Sequence, residues 1–191
     1  MQLQIGICVA FISDTRAGGK LMQETVQQYI QRIQAQLGGQ DPLKVQTATP
    51  KKIEKLIKGV PTSKLCKQPA PGKWSVGEIL AHLADCEIVT GWRVRQILGA
   101  PGTPIQAFDQ DSWAAAGHYA KRDPRESFEL FAALRAGNLA LLKSLSREQW
   151  KLFGMHAERG EETIERILQM MAGHDINHVK QVEKLVAAKK G

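Results

Sequence analysis

"WSVGEILAHLADCEIVTGWRVRQILGAPG", residues 74–102, carries the clearest structural signals in the chain. Ser75 and Glu78 form an S-x-x-E capping box, in which each side chain takes up a backbone N–H that the first helical turn leaves free. The spacing therefore predicts a helix starting at Val76. Its apolar stripe includes Ile79, Leu83 and Val94, and Gly99 ahead of Pro101 should stop it.

Working outward, the sequence reads as helix after helix. Residues 100–122 carry Pro101, Gly102, Pro104 and Gly117 and predict a long connection with at most a short helix around Trp113. Asp123-Pro124, followed by Glu126, marks another start with proline in the first helical position. Phe128, Phe131, Leu134, Leu141 and Leu142 carry that helix to about residue 145. A loop with Trp150, His156 and Gly160 leads to a last helix over about 161–188. Upstream, a shorter helix should begin after Pro50, with Ile53, Leu56 and Ile57 on its apolar side. Residues 21–37 place Met22, Val26, Tyr29, Ile30, Ile33 and Leu37 on one face before Gly38-Gly39 ends the run. Strand alternation is confined to the first dozen residues. Three long helices, a medium one and long linkers predict an all-α four-helix bundle whose linkers allow crossovers.

Composition fits that reading. A chain of 191 residues with 43% apolar and 24% charged residues has room for one well-filled core. Lys and Arg outnumber Asp and Glu by 26 to 19, a net charge of +7. The basic residues are scattered, in pairs such as Lys51-Lys52, Lys121-Arg122 and Lys189-Lys190, which argues against a nucleic-acid surface. Cys8, Cys66 and Cys86 are odd in number and form no C-x-x-C pair, so a reducing cytoplasm is expected. The run "IGICVAFI" at residues 5–12 is too short to cross a membrane. Residues 1–20 are taken as an extension ahead of a domain spanning 21–191, with Met22 as an alternative beginning.

The chemistry resides in the histidines. His174 and His178 lie four residues apart, hence on one helical face with a rise of about 6 Å between them. Such a pair can grip a divalent ion, and also arises by chance. His82 lies beside Leu83 and Ile79 on an inward stripe, where a core histidine is the plainer reading. A bundle brings facing helices within about 10 Å, so the three can share one site. Three nitrogen ligands with an open position is a catalytic arrangement, whereas a closed structural zinc site uses four protein ligands. Asp85, Glu87, Asp175 and Gln181 lie near enough to steady an imidazole. His118 reads as a surface residue, Cys86 as a small core residue, and Arg93 and Arg95 as solvent-facing. Arg135, mid-helix among apolar residues, predicts a buried ion pair with a carboxylate.

The motifs W-S, H-L-x-D-x-E, D-Q-x-x-W, H-x-x-x-G-x-x-T and H-D-x-x-H-x-x-Q, in that order from about Thr49 to Lys184, resemble the DinB-like superfamily, in particular its YfiT-type branch of metal-dependent hydrolases. The resemblance implies a four-helix bundle with a divalent metal, commonly nickel or zinc, held by His82, His174 and His178. Asp109, Gln110, Trp113 and His156 match recurrent positions that can line the cleft.

A cation held by neutral imidazoles lowers the pKa of bound water, or holds a thiol as thiolate. Hydrolysis, with His156 or Asp85 as the assisting base, is the first expectation. Transfer of a low-molecular-weight thiol to an electrophile is the second, and a non-catalytic metal-binding stress or interaction protein the third. The expected partner is a small-molecule substrate, with no membrane involved, and the resemblance also admits a homodimer.

Overall fold

Local capping sets where the helices begin. The computed structural model describes residues 25–188. The first helix, α1 (Val26–Leu37), opens on a Thr25–Gln28 capping box and ends at Gly38, whose φ of 54° suits glycine. Asp41 caps α2 (Pro42–Ile57), and α3 (Thr62–Leu65) is a single turn. The Ser75–Glu78 box starts α4 (Val76–Gly99) as expected, with Ser75 N donating to Glu78 Oε2 at 2.7 Å. Beyond it lie β1 (Pro104–Ile105), α5 (Gln110–Ala116) and a 3-10 turn over Tyr119–Lys121. Asp123 caps α6 (Pro124–Lys143), which is followed by the short α7 (Arg147–Trp150). The hairpin β2 (Phe153–His156) and β3 (Gly160–Thr163) leads into α8 (Ile164–Ala187), capped by Thr163.

Four helices close a ring in the order α2, α8, α4, α6, with α1 packed outside on α8. Consecutive long helices α2 and α4, and likewise α6 and α8, thus sit across a diagonal, so the linkers between them are crossovers. Two apolar clusters fix the helix directions. One gathers Ile53, Ile57, Ile79, Leu80, Leu83, Phe131 and Val182, and the other Val94, Ile97, Ile105, Leu142, Ile164 and Leu168. Along α4 and α6 the first cluster precedes the second, while along α8 the order reverses. Helices α4 and α6 are therefore parallel to each other and antiparallel to α8. Between the two clusters runs a buried polar belt that includes Glu87, Arg135, His174, Asp175 and His178, with His82 buried at the edge of the first cluster.

The structure corrects three expectations. Three short strands form a sheet in the order β1-β2-β3, with β1 parallel and β3 antiparallel to β2. None exceeds four residues, too few for alternation to register. Because residues 160–163 belong to that sheet, α8 starts later than predicted. The third correction concerns α2, which starts at Pro42 and runs through Pro50. The expectations for residues 1–24, including the terminal extension, the run at 5–12 and Met22, lie outside the described residues.

Pro50 survives inside a helix for an identifiable reason. Proline has no N–H, so the carbonyl four residues earlier, that of Gln46, loses its helical donor. Arg135 Nη1 donates to Gln46 O at 3.0 Å. The same guanidinium bonds Asp175 through Nη1 to Oδ2 at 2.6 Å and Nη2 to Oδ1 at 3.0 Å. It also reaches Glu87 Oε1 at 2.9 Å from Nη2. The ion pair expected for Arg135 is thus present, with two carboxylates in place of one. Burial alone would lower the Arg135 pKa, but Asp175 and Glu87 outweigh it and hold the guanidinium charged. Removing one member of such a network strands the others. Arg135→Met should therefore lose about 3–5 kcal/mol in urea unfolding, and a loss below about 1 kcal/mol would show that the network is dispensable.

Candidate metal centre

His82 on α4 and His174 and His178 on α8 come together, each less than a tenth exposed. His174 Nε2 lies 3.0 Å from His82 Nε2 and 3.0 Å from His178 Nε2. An imidazole nitrogen has one in-plane site, occupied by either a proton or a lone pair. His174 Nε2 can therefore hydrogen-bond to one of these neighbours and not to both. A single cation facing the three Nε2 lone pairs satisfies all of them. Two nitrogens held by one ion at about 2.0–2.1 Å, near a right angle, stand about 3 Å apart. The residues fit a metal.

The outer nitrogens agree. When Nε2 binds a cation the ring proton moves to Nδ1. His174 Nδ1 is buried without a partner among the described residues, and His178 Nδ1 has none but the neighbouring Gln181 carboxamide. Burial first, and then the adjacent imidazole, push the pKa values of all three rings well below the ordinary histidine range. Neutral rings offer lone pairs.

Cys86 is a fourth group at this site. Its Sγ, a ring nitrogen of His82 and a ring nitrogen of His174 all lie within 4.8 Å of one another. Yet Sγ stands 3.5 Å from His82 Nε2 and 3.8 Å from Nδ1 of the same ring. A sulfur almost equidistant from both nitrogens cannot lie in the ring plane without colliding with the carbon between them. It packs against the ring face, off the line of the Nε2 lone pair. Burial, aided by Glu87 and Asp175, raises the thiol's pKa. Cys86 is buried, and its thiol stands farther from the His82 nitrogens than His174 Nε2 stands from its two imidazole neighbours.

Of the four carboxylates and amides expected to steady an imidazole, Gln181 alone neighbours one. Asp175 and Glu87 turn to Arg135 instead, and Glu87 Oε2 accepts from Asn138 Nδ2 at 3.0 Å. Asp85 accepts from Tyr119 Oη at 2.6 Å and pairs with Arg122 at 3.4 Å. Burial, followed by the Asp85 carboxylate, raises the Tyr119 pKa, so the phenol remains a donor. Trp74 bridges these groups, its ring centroid 4.9 Å from that of His82 and 6.2 Å from that of Tyr119. Tyr119 lies in the long linker, where no periodicity marks it.

His156 sits on β2 opposite Ile105, in an environment shaped by Arg93, Arg159 and Glu162. Asp109 caps α5, Gln110 Nε2 is buried without a partner among the described residues, and Trp113 is exposed. His118 is exposed, as expected. Arg95 is exposed too, but Arg93 is not: it is buried and donates from Nη2 to Gln106 O at 2.7 Å. A signal for this existed, because residues 82, 86 and 93 fall on one face of a helix with 3.6 residues per turn.

The fold and site define a helical bundle with a cluster of three histidines buried between its helices. Residues 47–182 match the model of the DinB superfamily, and the chain belongs to that superfamily. It is 25% identical over 144 residues to the Bacillus subtilis (strain 168) protein named "Putative metal-dependent hydrolase YfiT", covering 75% of this chain and 81% of YfiT. An Oceanobacillus iheyensis protein of the same description is 27% identical over 119 residues, covering 62% of this chain and 68% of its own length. The solved structure of Bacillus subtilis YfiT, described as having "an unusual four-helix bundle topology", aligns with a TM-score of 0.66 at 23% identity over 91% of this chain and 93% of that one. Among the described residues, no helix is long and apolar enough to cross a membrane.

Protein purified without added metal should carry about one divalent ion per chain by elemental analysis. His174→Ala should lose it, while His118→Ala, at an exposed position, should keep it.

Proposed function

We propose that this chain is a metal-dependent hydrolase in which His82, His174 and His178 hold one divalent cation, zinc or nickel. The observation that carries the reading is the convergence of the three Nε2 atoms, with both contacts of His174 at 3.0 Å. The names of the Bacillus and Oceanobacillus relatives support it. A cation bound to three neutral rings keeps its full charge and supplies Lewis-acid chemistry, lowering the pKa of a bound water from about 15.7 to about 7.

The surrounding residues have separate tasks. Asp85, three residues beyond His82 on α4, is the proton acceptor. Tyr119 fixes its Oδ2 and leaves Oδ1 with the longer contact to Arg122, so one oxygen keeps lone pairs free to take a proton. Trp74 covers one side of the His82 ring and keeps water from it. Arg135 grips Asp175, next in sequence to His174, and thereby fixes the turn of α8 that presents His174.

Metal-loaded protein, assayed against a panel of carboxylic esters and amides, should turn over substrate without added thiol. Asp85→Asn should lower kcat about 100-fold or more while metal content stays unchanged. Turnover that requires glutathione together with an electrophile would replace hydrolysis with thiol transfer, and no turnover in either assay would leave a metal-binding protein.

A further inference from the structure

Arg93 is a buried cation that forms no ion pair among the described residues. It is 9% exposed, and its one hydrogen bond among the described residues goes to the backbone oxygen of Gln106. The Phe108 ring lies 5.9 Å from its guanidinium carbon. Of the carboxylates whose charge acts on it, Glu162 acts most strongly and is held by Arg159 through two bonds of 2.8 and 2.7 Å, and Glu158 acts more weakly. Burying an unpaired charge is costly, and a ligand that supplies the missing partner offsets that cost.

A second unpartnered group stands beside it. Gln106 follows Ile105, which lies opposite His156 in the β1–β2 register. The head of Arg93 is thereby placed at the strand pair that carries His156. His156 is 3% exposed, and its Nδ1 accepts from Glu158 N at 3.2 Å, so the ring proton belongs on Nε2. That Nε2 has no partner among the described residues. Burial, then Arg159 and Arg93, push the ring's pKa down to about 4. It is neutral at physiological pH and offers an N–H. Burial and Arg159 also bring Arg93 down to about 10, a shift an incoming anion would reverse.

We propose that Arg93 and His156 form a receptor for a carboxylate group, so that the substrate is a small molecule with a carboxylate at the end remote from the reacting bond. The inference rests on the histidine cluster being the reacting centre. Residues 82, 86 and 93 share one face of α4, which puts the receptor and His82 on the same side of the helix. A planar carboxylate suits the guanidinium fork, which presents parallel N–H groups. His156 Nε2–H supplies a further donor.

Benzoate is the probe and benzamide its uncharged counterpart. In a titration of metal-loaded protein with labelled histidine, benzoate should shift the His156 ring resonances and benzamide should not. Arg93→Gln should weaken benzoate binding at least about tenfold with metal content unchanged, and the wild-type titration stands alone if that variant fails to fold. Benzoate should also bind His174→Ala, which lacks a metal ligand. Binding there together with an absence of metal from wild-type protein would remove the hydrolase reading and keep the receptor. Binding that vanishes in His174→Ala and survives in Arg93→Gln would place benzoate on the metal and overturn the receptor, as would an equal response to benzamide.

Discussion

Arg135 is where the four helices of the bundle meet. It projects from α6 and bonds the Gln46 carbonyl of α2, Glu87 of α4 and Asp175 of α8. Each bond answers a need created elsewhere. The proline in α2 frees a carbonyl, and the two carboxylates are buried charges that need a cation. A guanidinium, with five donors in a fixed plane, can serve all three, whereas an ammonium would not match the paired oxygens of Asp175. The network lies between the two apolar clusters of the bundle.

Polar chemistry can persist in the middle of this bundle because the network holds the helices in register there. His174 immediately precedes Asp175, and His82 lies on the helix that carries Glu87. The positions of the two helices that carry the histidine cluster are therefore fixed by the same side chain that neutralises the belt. Close packing adds to this on the outer side. A Cβ at Gly173 would overlap the backbone of Ile33 in α1, so the turn of α8 ahead of His174 is tightly covered. Such support keeps three imidazoles close enough to share one cation, where loose rings would separate to find individual hydrogen bonds.

Much of this was legible in the sequence wherever the signal was local. The S-x-x-E box at Ser75 and the glycine-proline stop after Ile97 marked both ends of α4, and H-x-x-x-H supplied two of the three clustered histidines. What was missed depended on distant partners. Pro50 reads as a helix start until Arg135, 89 residues from Gln46, takes over the freed carbonyl. The strands of two to four residues are defined by their pairing and carry too few positions for a period. Tyr119 gave no warning, since a buried tyrosine in an irregular linker has no pattern to follow. Arg93 was misjudged by residue type, because arginines on helices usually face water, although its spacing from His82 already placed it inward.

The central claim is that three imidazoles share one cation, and X-ray absorption at the metal edge of the protein as purified tests it most directly. A first shell dominated by about three imidazole nitrogens near 2.0–2.1 Å, with multiple scattering from the rings and no sulfur near 2.3 Å, is the predicted result. A sulfur scatterer in that shell would make Cys86 a ligand and close the site, and a shell of oxygens alone would contradict the histidine centre altogether.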